Sequence, residues 1–441
     1  MTPLVIGMLG CGTVGTGVAR ILREHGTEIE ARLGRPLVLG PIAVRDIHRE
    51  RAPEIPTDNL TTNPDDVLHD PNVQIIVEVI GGMEPARGLI LEAIDAGKHV
   101  ITANKALLAE HGAELFERAD LRGVDIAFEA SVGGGIPIIR SLREALASDR
   151  IQSIHGIING TSNFLLTALS EGSGSYEEVL AEAQRLGYAE ADPTMDVEGI
   201  DAAQKLSILL SLAFGTHVGW KEITTRGLST LDALDFELAD RFGFRIKPLA
   251  IAHATEAGIE ARVEPTLLPK DSLLASVNDV FNAVFLTSHA LGPTMLTGQG
   301  AGMMPTAVSV VSDIIEVARS IGQGTSGRLP HLAFRRESTR EQISSDDAVS
   351  EHFLRFTVAD SPGTLAHISQ ALADEGVSIR QVLQTADRKG DSATVVLLTH
   401  RSTHGAVLNA LNVLDKNDLT LGPTRWLRIA RPGDTEECTR D

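Results

Sequence analysis

Short apolar runs alternate with stretches of helical periodicity through the first third of the chain. Leu4–Leu9 (LVIGML) contains no charged residue and is expected to be a strand covered on both faces. Gly10–Gly15 follows as a turn, and Val14–Glu24 repeats its apolar residues at helical spacing. Further runs fit strands at Leu37–Val44, Gln74–Val79, His99–Thr102 and Val124–Phe128, with helical patterns over 86–97 and 106–122 between the later ones. Strands alternating with helices predict an α/β unit with a doubly wound parallel sheet over residues 1–130.

From Ile151 the pattern changes. Helical segments near 162–170, 176–186 and 198–214 mix with strand-like runs at Ile151–Ile157, Arg245–His253 and Gly258–Leu267. This predicts an α+β domain over 131–304 that serves for substrate binding and dimerisation. The helical run Pro305–Ile321 follows a glycine turn, and the segment 305–322 is expected to pack back on the first domain. Residues 323–350, rich in Gly, Arg, Ser and Asp, read as a linker. The third unit, 351–430, orders its elements βαββαβ, with strands at Phe353–Val358, Val377–Thr385, Thr394–His400 and Arg425–Ile429 and a hairpin-like break at Asp387–Asp391. That order predicts a ferredoxin-like fold. The tail 431–441 (RPGDTEECTRD) is expected to be disordered.

Composition narrows the possible partners. A chain of 441 residues exceeds one ordinary core, so several domains are expected. The net charge of −20 argues against nucleic acid and anionic membranes as partners. No apolar run is long enough for a membrane span, and MTPLVIGMLGCG lacks the basic start of a secretory signal, so a cytoplasmic location is expected. The two cysteines, Cys11 in a glycine turn and Cys438 in the tail, form no CxxC pair and point to neither a disulfide framework nor a zinc site.

GCGTVG (Gly10, Gly12, Gly15) matches G-x-G-x-x-G between a strand and a helix, the context of a Rossmann-like dinucleotide site. There the first glycine permits the turn, the second admits the pyrophosphate, and the third lets helix and strand pack closely. The second strand ends in AVRD, with Arg45 before Asp46. An arginine there pairs with a 2′-phosphate, which favours NADP and leaves NAD open as a second cofactor. The plain alternative is a solvated Arg45.

Several dehydrogenase chemistries are excluded. Tyr176 and Tyr188 are the only tyrosines, and neither begins Tyr-x-x-x-Lys. Zinc-ligating and nucleophilic cysteines are absent as well. Lysine or histidine must then handle the proton. Of eight lysines, Lys105 in TANKALLA and Lys205 stand out. The segment Gly187–Leu209 packs Glu190, Asp192, Asp196, Glu198 and Asp201 ahead of Lys205, and Asp201 lies one helical turn before it. An acidic pocket with an ammonium at its rim suits a small amino acid with a reducible oxygen. A solvated loop followed by an ordinary ion pair is the alternative.

The segments GCGTVG, EVIGG (78–82), TANKALLA (102–109), FEASVGGGIPI (128–138), NGTSN (159–163), GYAEADPTMDVEGIDAAQKL (187–206) and GQGAGMMPTA (298–307) together resemble homoserine dehydrogenase, in the family's order. VADSPGTLAHISQALADEGVSIRQVLQ resembles the ACT motif. No aspartokinase segment stands before the first strand, which fits the family's monofunctional form. The resemblance implies reversible reduction of L-aspartate 4-semialdehyde to L-homoserine by NAD(P)H, on the route to threonine and methionine. It implies that Lys205 exchanges the proton with the substrate oxygen and that Glu190, Asp201 and Asp196 hold the substrate. Lys105 would lie near nicotinamide and substrate, as a catalytic residue or a cofactor contact. Thr13, Val14, Arg45, Gly187 and Gly302 match cofactor contacts, beside the motif glycines. Glu129, Val132, Gly134 and Ile136 match a sodium or potassium site formed by one carboxylate and main-chain carbonyls, with a helix cap or loop ion pair as the plain alternative for Glu129. Asp360, Gly363 and Gln384 are the candidates for an effector, expected to be L-threonine acting by feedback. A homodimer or homotetramer is expected. Two other readings stay open, a dehydrogenase for a different semialdehyde or amine and a non-catalytic amino-acid sensor.

Overall fold

The computed structural model describes residues 2–334, 340–386 and 392–433. The break at Asp387–Asp391 and the end of the tail lie outside these residues. The first unit is a six-stranded parallel sheet of β1 (Leu4–Leu9), β2 (Leu37–Ala43), β3 (Leu60–Thr61), β4 (Val73–Glu78), β5 (His99–Thr102) and β6 (Ile126–Ala127), in the order β3-β2-β1-β4-β5-β6. β1 and β4 are almost wholly buried, β1 through an unbroken apolar sequence and β4 through Val73 and Ile75–Val77. One face is covered by helices Ala86–Asp95 and Lys105–Arg122. The other is covered by helices Thr13–Glu24 and Met303–Gln323, the latter inserting Ala307, Val310, Ile314 and Val317. The strand order reverses between β1 and β4, which opens the ligand crevice at their carboxyl ends. The last strand is shorter than its apolar run because Phe128 leaves the sheet for a 3-10 turn at Glu129–Ser131.

A second, mixed sheet contains β7 (Ile151–Ile157), β8 (Thr224–Thr225), β9 (Phe244–Ala254), β10 (Ile259–Pro269), β11 (Phe281–Ser288) and β12 (Gly292–Gln299). Sequence reading did not find the β11–β12 hairpin, nor the helices Gly26–Leu33 and Ala233–Arg241. The C-terminal strands β13 (Val349–Ala359), β14 (Ile379–Ala386), β15 (Ser392–Thr399), β16 (Ser402–Thr403) and β17 (Arg425–Ile429) continue the same sheet. Its path runs β12-β11-β7-β9-β10-β17-β13-β15-β14, and β10 meets β17 in parallel through Thr266–Arg428 and Leu267–Ile429.

The C-terminal unit is ferredoxin-like, yet it is not a bead on a flexible linker. Helices Thr364–Asp374 and His404–Leu414 cover one face of its sheet. On the other face Phe353, Val396, Leu398 and Leu427 share a core with Leu165, Leu166, Val179 and Phe236 of the middle unit. Within the segment read as a linker, Glu341 and Ile343 hydrogen-bond Ile259 at 2.8 and 2.9 Å. Among the described residues, no helix is long and apolar enough to cross a membrane.

A buried charge cluster seals the junction. The Glu264 carboxylate accepts from Arg428 Nε at 2.6 Å and Arg262 Nε at 3.0 Å, and Arg262 also pairs with Glu260. The Arg226 guanidinium lies 3.8 Å from the Trp426 ring centre and donates to the Trp426 carbonyl at 2.8 Å. Burial alone would raise the Glu264 carboxyl, but Arg428, Arg262 and Arg226 hold it down at about 2. Removing one partner from such a cluster leaves a buried charge uncompensated. Arg428→Ala is expected to destabilise the protein by about 3–5 kcal/mol, read as a lower urea midpoint. A midpoint equal to that of the wild type would contradict this account of the junction.

Candidate functional site

The cofactor end is built from backbone. Gly10 has φ +95°, and a Cβ there would lie 2.8 Å from the Val79 carbonyl oxygen. A Cβ on Gly15 would come within 2.9 Å of the Gly10 oxygen, whereas nothing lies within 4 Å of the Cβ position of Gly12. Gly10 therefore makes the turn, Gly15 the close packing, and Gly12 the open approach. Helix Thr13–Glu24 starts at Gly12 with no side-chain cap, which leaves the amides near Thr13 and Val14 to a phosphate. Gly302, with φ +119°, starts helix Met303–Gln323 beside this end, since a Cβ on Gly17 would strike the Met303 oxygen.

Arg45 lies exposed just beyond β2, while the Asp46 carboxylate turns back to accept the His48 N–H at 2.8 Å. Arg51, which sequence reading passed over, donates to the Asp46 carbonyl and lies against the Cys11 thiol in the glycine turn. The basic run RDIHRER was its signal.

The loops after β4 and β5 are tied together. Buried Glu78 accepts the N–H groups of Ile80 and Gly81 at 2.8 and 3.1 Å and the Thr102 hydroxyl at 2.6 Å. Asn104 caps the next helix by accepting the Leu107 N–H and donates to the Gly82 carbonyl at 2.6 Å. These contacts set Lys105 as the first helical residue, facing the cleft.

Across the cleft, helix Ile200–Phe214 of the middle unit presents Asp201 and Lys205. The Asp201 carboxylate receives Lys105 Nζ at 2.8 Å on one oxygen and Lys205 Nζ at 2.7 Å on the other. Lys205 also donates to the Ile158 carbonyl at 2.7 Å. Burial would raise the Asp201 carboxyl, but the two lysines hold it well below the usual carboxylate range. Burial pushes Lys205 below the usual lysine value, with Asp201 limiting the fall. Burial would lower Lys105 as well, but Asp201, with Asp196 and Glu190 behind it, raises it.

The acidic segment divides by role. Asp196 accepts an Asn159 N–H at 2.7 Å beside the lysines, and exposed Glu190 acts on Lys105 through its charge. Asp192 instead accepts from the Thr194 amide and hydroxyl, and Glu198 packs against Gly227. Gly187 has φ +76° and follows helix Tyr176–Arg185 at the edge of this loop.

In the candidate cation loop the carboxylate and the main-chain carbonyls already have protein donors. The Glu129 carboxylate accepts the N–H groups of Ile139 and Arg140 at 2.8 and 2.9 Å, so it caps a helix start. The Gly134 carbonyl accepts the Ser309 hydroxyl at 2.6 Å, and the Ile136 carbonyl accepts the Ile138 N–H at 2.8 Å. Asp313 sits behind the loop and accepts the Glu129 N–H, its carboxyl pushed up to about 7 by burial and by Glu129. In the C-terminal unit Asp360 and Gln384 are exposed, and Gly363, with φ +96°, starts helix Thr364–Asp374 without a side-chain cap. Gln384 stands on β14, in register with Val395 and, one strand further, Phe356, so the structure does not bring it against Asp360.

The chain matches known proteins along almost its whole length. Residues 10–129 match the family model "Homoserine dehydrogenase, NAD binding domain", 137–315 match "Homoserine dehydrogenase", and 352–416 match "ACT domain". The homoserine dehydrogenase of Neisseria gonorrhoeae is 43% identical over 97% of this chain and 99% of its own, and that of Bacillus subtilis is 41% identical over 95% and 96%. The crystal structure of a homoserine dehydrogenase from Thiobacillus denitrificans superposes with a TM-score of 0.91 at 42% identity, over 98% of this chain and 99% of that one. A hyperthermophilic archaeal homoserine dehydrogenase in complex with NADPH superposes at 0.60 with 28% identity, over 72% of this chain and 98% of that one. The chain belongs to the homoserine dehydrogenases, NAD(P)-dependent oxidoreductases, and carries an ACT domain after its catalytic part.

Proposed function

We propose that the lysine–aspartate–lysine bridge interconverts L-aspartate 4-semialdehyde and L-homoserine, with NADPH as the preferred reductant, in the formation of threonine and methionine. The observation that carries the reading is Asp201 held between two lysines that come from different domains. Two of the three Lys205 ammonium protons are taken, by Asp201 and the Ile158 carbonyl, and the third is free for a substrate oxygen. The cofactor supplies a hydride when bound. Lys205 stabilises the charge that develops on the aldehyde oxygen and hands it a proton. Lys105 orients the same oxygen or the carboxylate of the substrate. Glu190 and Asp196 offer the negative charge that the substrate ammonium needs.

Preference for NADPH rests on Arg45 and Arg51 near the end of β2, two cations placed for a 2′-phosphate, while Asp46 is spent on its own turn. For a sodium or potassium ion we propose the main-chain carbonyls of Glu129, Val132, Gly134 and Ile136, with the Glu129 carboxylate acting as the helix cap. Regulation by L-threonine is proposed at Asp360 and Gly363, at the start of helix Thr364–Asp374, with Gln384 two strands away and outside that site within one chain. Assembly into a dimer or tetramer is proposed from the two sheet edges, β12 and β14, that have no further strand beside them among the described residues. A cytoplasmic location is proposed, and it fits Cys11, which has no disulfide partner among the described residues.

Lys205→Ala is expected to lower kcat by about 10²-fold or more with the NADPH Kd unchanged. Turnover equal to wild type would overturn the assignment, and lost NADPH binding would move Lys205 to the cofactor site. Reduction needs the protonated lysine. Its kcat/KM should therefore fall as pH rises through a Lys205 pKa that lies below the usual lysine value, while oxidation of homoserine gains over the same range.

Threonine regulation is tested on the whole chain, because removing residues after 340 would expose the core shared through Phe353 and Leu427. L-Threonine should inhibit the wild type, and Asp360→Ala should relieve inhibition while sparing turnover. A wild type indifferent to threonine would end the proposal.

A further inference from the structure

Asn159 is buried, 5% exposed, at the end of β7, and it starts helix Gly160–Ser170. Its side-chain oxygen Oδ1 accepts the Ser162 N–H at 2.8 Å, which fixes the orientation of the amide. The amide nitrogen then donates to Asp196 at 2.7 Å and to Asp201 at 2.8 Å, the second bond on the oxygen that also receives Lys205. Both amide hydrogens are thus spent on two carboxylates that would otherwise repel each other, and no charge is added. The neighbouring residues secure the same loop. The Thr161 hydroxyl donates to the Tyr188 carbonyl at 2.5 Å, the Ser162 hydroxyl to the Asp196 carbonyl at 2.9 Å, and the Ile158 carbonyl accepts from Lys205.

We infer that Asn159 is a positioning residue for the reaction, whose amide clamps Asp196 and Asp201 together so that the remaining N–H of Lys205 points at the substrate oxygen. The inference rests on Lys205 being the proton donor. Without the clamp, Asp201 can rotate away from Lys205 and Asp196 can leave the ammonium pocket, so both kcat and the KM for the semialdehyde change.

The test compares Asn159→Ser and Asn159→Asp. Both residues still cap the helix, but serine cannot reach both carboxylates and aspartate repels them. The serine variant should lose roughly 10–10²-fold in kcat/KM for the semialdehyde with an unchanged NADPH Kd, and the aspartate variant should lose more. The aspartate variant should also move the alkaline limb of the reduction profile to higher pH, because an added carboxylate raises the pKa of Lys205. In an Asp201→Asn background the loss from Asn159→Ser should shrink, as expected for coupled residues. Wild-type kinetics and pH profile in both variants, or losses that multiply independently in the double variant, would overturn the inference. If the serine variant does not fold, the isosteric aspartate variant carries the test. Full turnover in Lys205→Ala would instead refute the underlying reading of the site, a result distinct from failure of the clamp.

Discussion

The Asp201 carboxylate lies between two ammonium groups that reach it from different units of the chain, Lys105 from the start of a helix on the parallel sheet and Lys205 from one turn along its own helix. A buried carboxylate is costly unless its charge is met, and here both oxygens are met by cations. The same contact ties the cofactor domain to the substrate domain and sets the protonation of Lys205. Much of the surrounding structure bears on this arrangement. Glu78 and Asn104 fix the loop that presents Lys105, and Asn159 fixes the carboxylate from the other side.

The C-terminal unit joins this arrangement through a solid connection. Its last strand completes a sheet that runs on to β7, the strand that leads into Ile158 and Asn159. Its apolar face shares a core with Val197, next to Asp196, and with Ala189, next to Glu190. A change of packing beneath the ACT sheet therefore has a short path to the substrate loop, through side chains already in contact.

The sequence made most of the parallel sheet legible because its longer strands carry apolar cores and its glycine motif sits between strand and helix, while the two-residue β3 left no pattern. It made the Asp201–Lys205 pair legible because four residues is one helical turn. Three features stayed hidden. The β11–β12 hairpin pairs a short apolar run, Ala283–Leu286, with a half-exposed strand, GPTMLTGQ, that carries two glycines and a proline, so the pattern of the second strand is weak. The parallel pairing of β10 with β17 joins residues 162 positions apart, as Thr266 with Arg428, and no local pattern marks it. The contact between Lys105 and Asp201 has the same cause. The sequence left Glu129 between a cation ligand and a helix cap, and its carboxylate accepts two N–H groups at a helix start.

The most direct test of the bridge is Asp201→Asn, which keeps the size of the side chain and removes its charge. Steady-state kinetics would follow NADPH absorbance with L-aspartate 4-semialdehyde. Without the carboxylate, Lys205 loses the charge that keeps it protonated, so kcat for reduction near pH 8 should fall by about 10²-fold while the NADPH Kd holds. Turnover and pH dependence equal to those of the wild type would contradict the account.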